Sequence, residues 1–516
     1  MMLILVINPE KWIKKSSVVV SFQKLYIFLQ QEPNKFGRMN KKTVLSFLCL
    51  TFVTAFGFAK KGQVMTTTAD RKQSFEIQNI SFSKAPQNTL QFIIDPAVKY
   101  QQMDGFGAAV TGSTCYNLMQ MKEDERKAFL MKTFSPSKGL GYSYIRISIG
   151  CSDFSLSEYT CCDNPGIENF ALQREEMEYV IPILKEILAI NPSIKILGSP
   201  WTCPKWMKVD NLKDLKPYDS WTSGQLNPKY YQDYATYFVK WVEAFEKEGI
   251  GIYAVTPQNE PLNRGTSASL YMGWREELRF AREALGPAFK RAGIGAKIYA
   301  FDHNYNYDNI IDEEDYTLKI YDDEEAAAFL TGAAYHNYGG NRDELLDVAY
   351  RRPDKELIFT ETSIGMWNDG RNLSKRLLDD MREVALGTVN NGCRAVMVWN
   401  LMLDSERGPN REGGCQTCYG AVDIERSNYS EITYNSHYYI IGHLSKVVKP
   451  GAVRVEVKIP NLPQGVMCSA FVNPDKTVAL VCLNEASHPV SFSASADGKK
   501  YVNHTIPARA VVSLQW

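Results

Sequence analysis

Eight short apolar runs, separated by longer segments with helical spacing, constrain this chain more than any other feature. They cover residues 105–110, 142–149, 195–200, 252–257, 297–302, 332–338, 356–362 and 394–401. The segments 174–190, 230–248, 274–292 and 375–391 repeat apolar residues every three or four positions. The second is the plainest, with Tyr234, Tyr237, Phe238, Trp241 and Phe245 on one stripe. A strand that is apolar on both faces must be covered on both faces, and strands alternating with helices pair in parallel through crossovers. Eight such units predict an α/β fold, a closed (β/α)8 TIM barrel. The competing doubly wound sheet would carry a glycine-rich phosphate loop after its first strand. Gly105-Phe106-Gly107 is too short for one.

The flanks read differently. After a polar linker at 60–72, residues 73–98 alternate apolar and polar as strands do. Beyond about residue 446 the helical rhythm stops, and short strands are expected at 453–459, 466–472, 477–484, 490–494 and 510–515, with a turn at 473–476. Some 70 residues make a poor core alone, so the two flanks are expected to combine into one all-β, sandwich-like domain built from both chain ends. The expected division is a signal peptide at 1–59, linker and N-terminal β-strands at 60–98, the catalytic barrel at 99–445 and the C-terminal β-domain at 446–516.

The signal peptide is read from an internal methionine. Met39 precedes Lys41 and Lys42, an apolar stretch at 43–58 and a small-residue cleavage site at 57–59, whereas residues 1–38 fit no targeting pattern. Translation is therefore expected to start at Met39. The apolar stretch is shorter than the roughly 20 residues of a spanning helix, so the mature chain is expected to be secreted or periplasmic, with no integral membrane segment. Lysine plus arginine (58) equals aspartate plus glutamate (58), which gives no electrostatic reason to bind nucleic acid. Of 11 cysteines, Cys415 and Cys418 form the one CxxC. Without a second half it predicts a local disulfide or buried thiols rather than zinc. Six histidines and no HExxH motif argue against a metal-dependent hydrolase, and no cofactor is expected.

Reactive groups of barrel enzymes stand where strands end, on the C-terminal face. The fourth run ends in Asn259-Glu260-Pro261 and the seventh in Thr360-Glu361-Thr362. Strands 4 and 7 face each other across a barrel mouth, so both carboxylates can converge on one bond. Glycoside cleavage needs such a pair, one carboxyl protonating the departing oxygen while the other attacks the anomeric carbon. The environment must then push the two pKa values apart. Asn259 is placed to meet a sugar 2-hydroxyl, and Pro261 fixes the backbone behind the acid. Arg146, in mid-strand, is costly to bury without a carboxylate partner.

In order along the chain come Asp104-Gly105-Phe106-Gly107, the 146–155 segment with Arg146 and Asp153, and the 199–208 segment with Trp201 and Trp206. Gln258-Asn259-Glu260-Pro261, His336-Asn337-Tyr338, Thr360-Glu361, the 399–404 segment with Trp399, and the 439–445 segment with His443 follow. Across nearly the whole mature chain this series resembles glycoside hydrolase family 30, the group of glucosylceramidases and related bacterial and fungal β-glucanases. The resemblance implies Glu260 as acid/base and Glu361 as nucleophile. It implies Asp153 and Trp201 as holders of the −1 glucose hydroxyls, Asn259 as the 2-hydroxyl partner, Tyr338 beside the nucleophile, Trp399 as aromatic floor and Arg146 as the buried arginine that steadies the nucleophile side. His336 is expected in the site as an orienting residue, and Trp206 serves either packing or substrate. Two departures bear on the substrate: residues 110–113 lack the usual Thr-Asp, and Asn337 replaces a usual tryptophan, removing an apolar face that a ceramide would want. The expected activity is a retaining β-glucosidase of the glucosylceramidase type, acting on a β-glucoside or glycolipid. An endo-β-1,6-glucanase acting on polysaccharide is the alternative, and a non-catalytic glycan-binding protein a third reading.

Overall fold

The computed structural model describes residues 62–305 and 310–516. The expected signal peptide and the Met39 start lie outside the described residues. Eight parallel strands form a closed barrel: Gly105–Ala109, Tyr144–Ser148, Lys195–Ser199, Ala254–Val255, Lys297–Asn304, Gly332–His336, Glu356–Glu361 and Cys393–Asn400. They follow one another around the barrel in sequence order, and the eighth closes on the first through Ala395↔Gly105 to Asn400↔Ala109. Each lies within or overlaps one of the eight apolar runs. The fourth is only two residues long. Its ladder continues through the Thr256 N–H to the Gly198 carbonyl, and Pro257, having no N–H, ends it.

The helix Tyr231–Lys247 buries Tyr234, Tyr237, Phe238, Trp241 and Phe245, the stripe expected from the sequence. Three other expected helices are interrupted by a π-helical turn, at Glu176–Val180, Ala281–Leu285 and Met381–Ala385. The first two precede Pro182 and Pro287, which cannot donate to the carbonyl one turn back, and widening the turn accommodates the loss. The third precedes Gly387, where even a Cβ would stand 2.4 Å from the Arg382 carbonyl oxygen.

Ten strands in one continuous hydrogen-bonded order make the second domain, and both chain ends contribute. Residues read as polar linker are in fact the strand Gln63–Thr68, paired antiparallel with the last strand, Ala510–Gln515, along its whole length. Its threonines suit a pleated surface, and the partner that recruits them lies more than 440 residues away, so local polarity misled. Gln91–Gln102 pairs with Val453–Lys458 and with Val490–Ser495, and Phe92 stacks on Phe492 at 4.5 Å. Tyr501–Ile506 is a strand that the sequence reading passed over. The helix Ser436–Val447, buried at every residue but Lys446, joins the two domains. His443 bridges Ser513 at 2.8 Å and Thr67 at 2.9 Å. Burial holds its pKa down to about 3, so it is a neutral ring with one donor and one acceptor, which suits two hydroxyls.

Candidate active site

Polar residues gather where the barrel strands end. The chain leaves the fourth strand with the Asn259 N–H on the Pro200 carbonyl (2.7 Å) and the Glu260 N–H on the Asp302 carbonyl (3.0 Å). Glu260 takes φ +45°, and Phe301 and Asp302 take +74° and +57°. Side chains other than glycine lose about 1–2 kcal/mol in this left-handed region, and the surrounding hydrogen bonds hold them there. The strain turns Asp302 inward, at a register shift between Phe301 and His303.

Arg146 lies fully buried beneath the mouth. It donates to Glu361 Oε2 at 2.5 Å, Asp302 Oδ2 at 2.7 Å and Asn259 Oδ1 at 2.6 Å. One guanidinium between two carboxylates meets the condition under which a buried charge is tolerated. Because Asn259 gives its oxygen to Arg146, its NH2 is left for a ligand. Asp302 also accepts from Ser199 (2.6 Å), Thr256 (2.8 Å) and Thr360 (2.6 Å). Burial pushes its pKa up, but Arg146 and these donors hold it far below the usual carboxylate range. Asp302, Ser199, Thr256 and Thr360 were not singled out from the sequence. Their signal was present: each is a polar residue at the C-terminal end of an apolar run.

His336 stands between the two halves of the site, Nδ1 3.2 Å from Glu260 Oε1 and Nε2 3.1 Å from Asp302 Oδ1. Burial works against its charge, yet the Glu361, Asp302 and Glu260 carboxylates outweigh burial and push its pKa up to about 9. Burial likewise raises Glu260, but its hydrogen bond from His336, nearby His303 and the Asn263 amide (2.7 Å) carry it down to about 2. Glu361 moves upward through burial, opposed by His336 and Arg146, and it accepts the Tyr338 hydroxyl at 3.0 Å. The two carboxyls are thus pushed apart, in the opposite sense to that expected for an acid at 260 and a nucleophile at 361. The proton rests on His336 in this arrangement.

Glu260, His336 and Glu361 are also the group, among the described residues, whose possible metal-ligand atoms all come within 4.8 Å of one another. His336 commits both ring nitrogens to carboxylates and is protonated up to about pH 9. It therefore presents N–H donors where a metal needs a lone pair.

A cavity of about 330 Å³ opens above these groups, lined by Asp153, Trp201, Asn259, Glu260, Tyr338, Glu361 and Trp399. Trp201 and Trp399 stack 5.2 Å apart and sit 4.9 and 5.6 Å from the Arg146 guanidinium. Asp153 accepts the Cys415 N–H at 3.3 Å; burial, with Glu361 nearby, raises its pKa to about 7. Cys415 and Cys418 form a disulfide in the loop that walls this side. Arg146 and His336 lie behind the lining. Trp206 is not part of the lining: its indole N–H goes to the Cys162 carbonyl at 2.8 Å and its ring packs edge-on against Tyr230, contacts that favour the packing reading. No helix among the described residues is long and apolar enough to cross a membrane.

Comparison with known proteins agrees with this architecture. The model of the glycosyl hydrolase family 30 TIM-barrel domain matches residues 103–448, and that of the family 30 beta sandwich domain matches residues 451–514. An endo-1,6-β-D-glucanase of Trichoderma harzianum is 29% identical over 433 residues, 80% of this chain and 84% of the relative. The lysosomal acid glucosylceramidase of Mus musculus is 25% identical over 479 residues, 87% and 88% of the two chains. A solved endo-β-1,6-glucanase superposes with a TM-score of 0.86 at 61% identity, covering 88% of this chain and 99% of its own. Barrel, sandwich and a family match over well more than half the chain agree: the protein belongs to glycosyl hydrolase family 30 and is a glycoside hydrolase.

Proposed function

We propose that the protein is an exported, retaining endo-β-1,6-glucanase, with Glu361 as nucleophile and Glu260 as acid/base. The separation of the two carboxyls carries the mechanism. Oxygens of Glu260 and Glu361 lie within 4.8 Å, near the roughly 5–5.5 Å of retaining enzymes and well short of the ~6.5–9.5 Å that inversion needs for a water. For the linkage, the 61% likeness to a solved endo-β-1,6-glucanase outweighs the 25% likeness to a glucosylceramidase. This reverses the order in which the sequence ranked the two substrates. The polar rim of Asp153, Thr266, Gly413 and Gly414 also suits a glycan better than a ceramide. Export rests on the targeting pattern that begins at Met39.

The steps follow from the geometry. A sugar entering over the Trp201–Trp399 floor displaces water from the 260–336 pair. Desolvation raises a carboxyl and lowers an imidazole, so the shared proton crosses the 3.2 Å from His336 to Glu260. Glu260 delivers it to the glycosidic oxygen as Glu361 attacks the anomeric carbon, giving a glycosyl ester and a released chain end. A water molecule then gives its proton to Glu260 and its oxygen to the anomeric carbon, freeing Glu361. Arg146 and Tyr338 hold Glu361 ready for attack.

Product analysis tests the reading. β-1,6-Glucan should yield a ladder of oligosaccharides at once, Glu361→Gln should lower turnover at least ~10⁴-fold, and glucosylceramide should be a poor substrate. Faster release of glucose from glucosylceramide than of any product from the glucan would restore the glucosylceramidase reading.

A further inference from the structure

A second cavity, of about 430 Å³, adjoins the first and shares Tyr338, Ser363 and Trp367 with it. Both volumes fall within the ~300–1,000 Å³ usual for small-molecule sites. Trp367 stands between the two, more than half exposed. Its ring lies over Gly365, where a Cβ would come within 1.9 Å of Cζ3. Backbone therefore covers one face and leaves the rest of the ring open.

The seat is held firmly. The Asn368 side chain accepts the Gly365 N–H at 3.0 Å, Gly365 pairs with Cys418 of the disulfide, and the Met366 N–H reaches the Thr417 carbonyl at 3.0 Å. The second cavity is otherwise lined mainly by polar residues, among them Asn337, Asn368, Asp379 and Glu383. Arg382 donates to Asp379 at 3.0 Å and to Glu383 at 2.8 Å, Arg342 also pairs with Glu383, and Arg376 lies 3.6 Å from Asp379. With two oxygens and about four lone-pair sites, each carboxylate has room for a further donor. An exposed aromatic ring in a cavity lined by amides and carboxylates matches a pyranose, which offers C–H groups on its faces and hydroxyls around its edge.

We infer that Trp367 and the second cavity form a binding subsite for a further glucosyl residue of the glucan chain. This deepens the proposed function and rests on its claim that the substrate is polymeric. A β-1,6 linkage has a third rotatable bond, so the chain can turn sharply at each sugar. Two pockets set side by side across an aromatic ring accommodate such a turn better than a straight groove would. The subsite would favour chain over disaccharide and raise kcat/KM with length.

The test compares two probes in the full-length enzyme. β-Glucosyl fluoride fills only the catalytic pocket, whereas a β-1,6-linked glucohexaose also reaches the second cavity. Because Trp367 also borders the catalytic cavity, the readout is the ratio of the two probes: Trp367→Ala should lower kcat/KM on the hexaose about tenfold more than on the fluoride, and Trp367→Phe should recover most of that difference. Equal losses on both probes, or no loss on either, overturn the subsite. A wild-type enzyme that cleaves the fluoride and no β-1,6-linked chain overturns the linkage reading instead. The same pair of measurements on β-1,3- and β-1,4-linked hexaoses then decides the subsite, and absence of any chain-length dependence in the wild type refutes it.

Discussion

Single residues show how a buried site divides its charges. Glu260 and His336 hold one proton between them, and the pair releases it at the higher value, about 9. If that proton is the one delivered to the leaving group, the alkaline limb of kcat/KM falls near pH 9. In His336→Gln the carboxyl must hold the proton alone, and the limb should move at least two pH units toward acid. A pH–rate profile decides this; an unmoved limb excludes the shared proton, whatever the change in rate. Asp153 offers a test by stability. Its pKa, raised by burial from 3.8 to about 7, means the folded state keeps a proton that the unfolded chain has released. The benefit is full below about pH 3.8 and is gone once pH rises through 7. Asp153→Asn, which never ionises, should gain over wild type as pH rises from 4 to 8 by up to roughly 4 kcal/mol, while losing sugar affinity. Thermal melts at the two pH values measure it. Glu260, His336 and Asp153 were legible in the sequence as site candidates; the direction of their titration was not, because it depends on charged and polar neighbours that distant strands and loops bring in.

Secondary-structure elements were legible to the extent that their pattern is local. The eight barrel strands and the Tyr231–Lys247 helix follow from apolar periodicity, since a doubly buried strand and a one-sided helix leave different spacings in the sequence. The π-turns do not, because they record how a proline or a glycine is accommodated under packing. Nor does the spacing of the strands themselves. A Cβ on Gly107 would lie 1.8 Å from the Tyr144 carbonyl oxygen in the neighbouring strand, so the first and second strands approach as closely as they do because position 107 has no side chain. Gly107→Ala should push them apart, displace Arg146 two residues beyond Tyr144, and lower stability by about 3 kcal/mol. Calorimetry and activity should fall together; a variant with wild-type melting would show that the barrel relaxes there.

At the scale of the molecule, the described residues form one compact unit. Barrel and sandwich share the Ser436–Val447 helix and the Thr67–His443–Ser513 bridge, so neither half should unfold alone. A calorimetric scan should show one transition, and His443→Ala, which takes one hydrogen-bond partner from each of two buried hydroxyls and leaves a cavity in the joining helix, should lower its midpoint by several degrees. Two resolved transitions in the wild type would mean that the domains are independent.

The sequence by itself determined the fold class, the two strand-end glutamates and the union of both chain ends in one β-domain, because those depend on periodicity and on which residue types close a strand. Only the tertiary structure decided that Asp302 anchors Arg146 and His336, that residues 63–68 are a strand, and that Trp367 lies open between two cavities. Each of these is a relation between segments far apart in the chain, and no local pattern carries the distance across which a charge is paired, a strand is recruited or a ring is left uncovered.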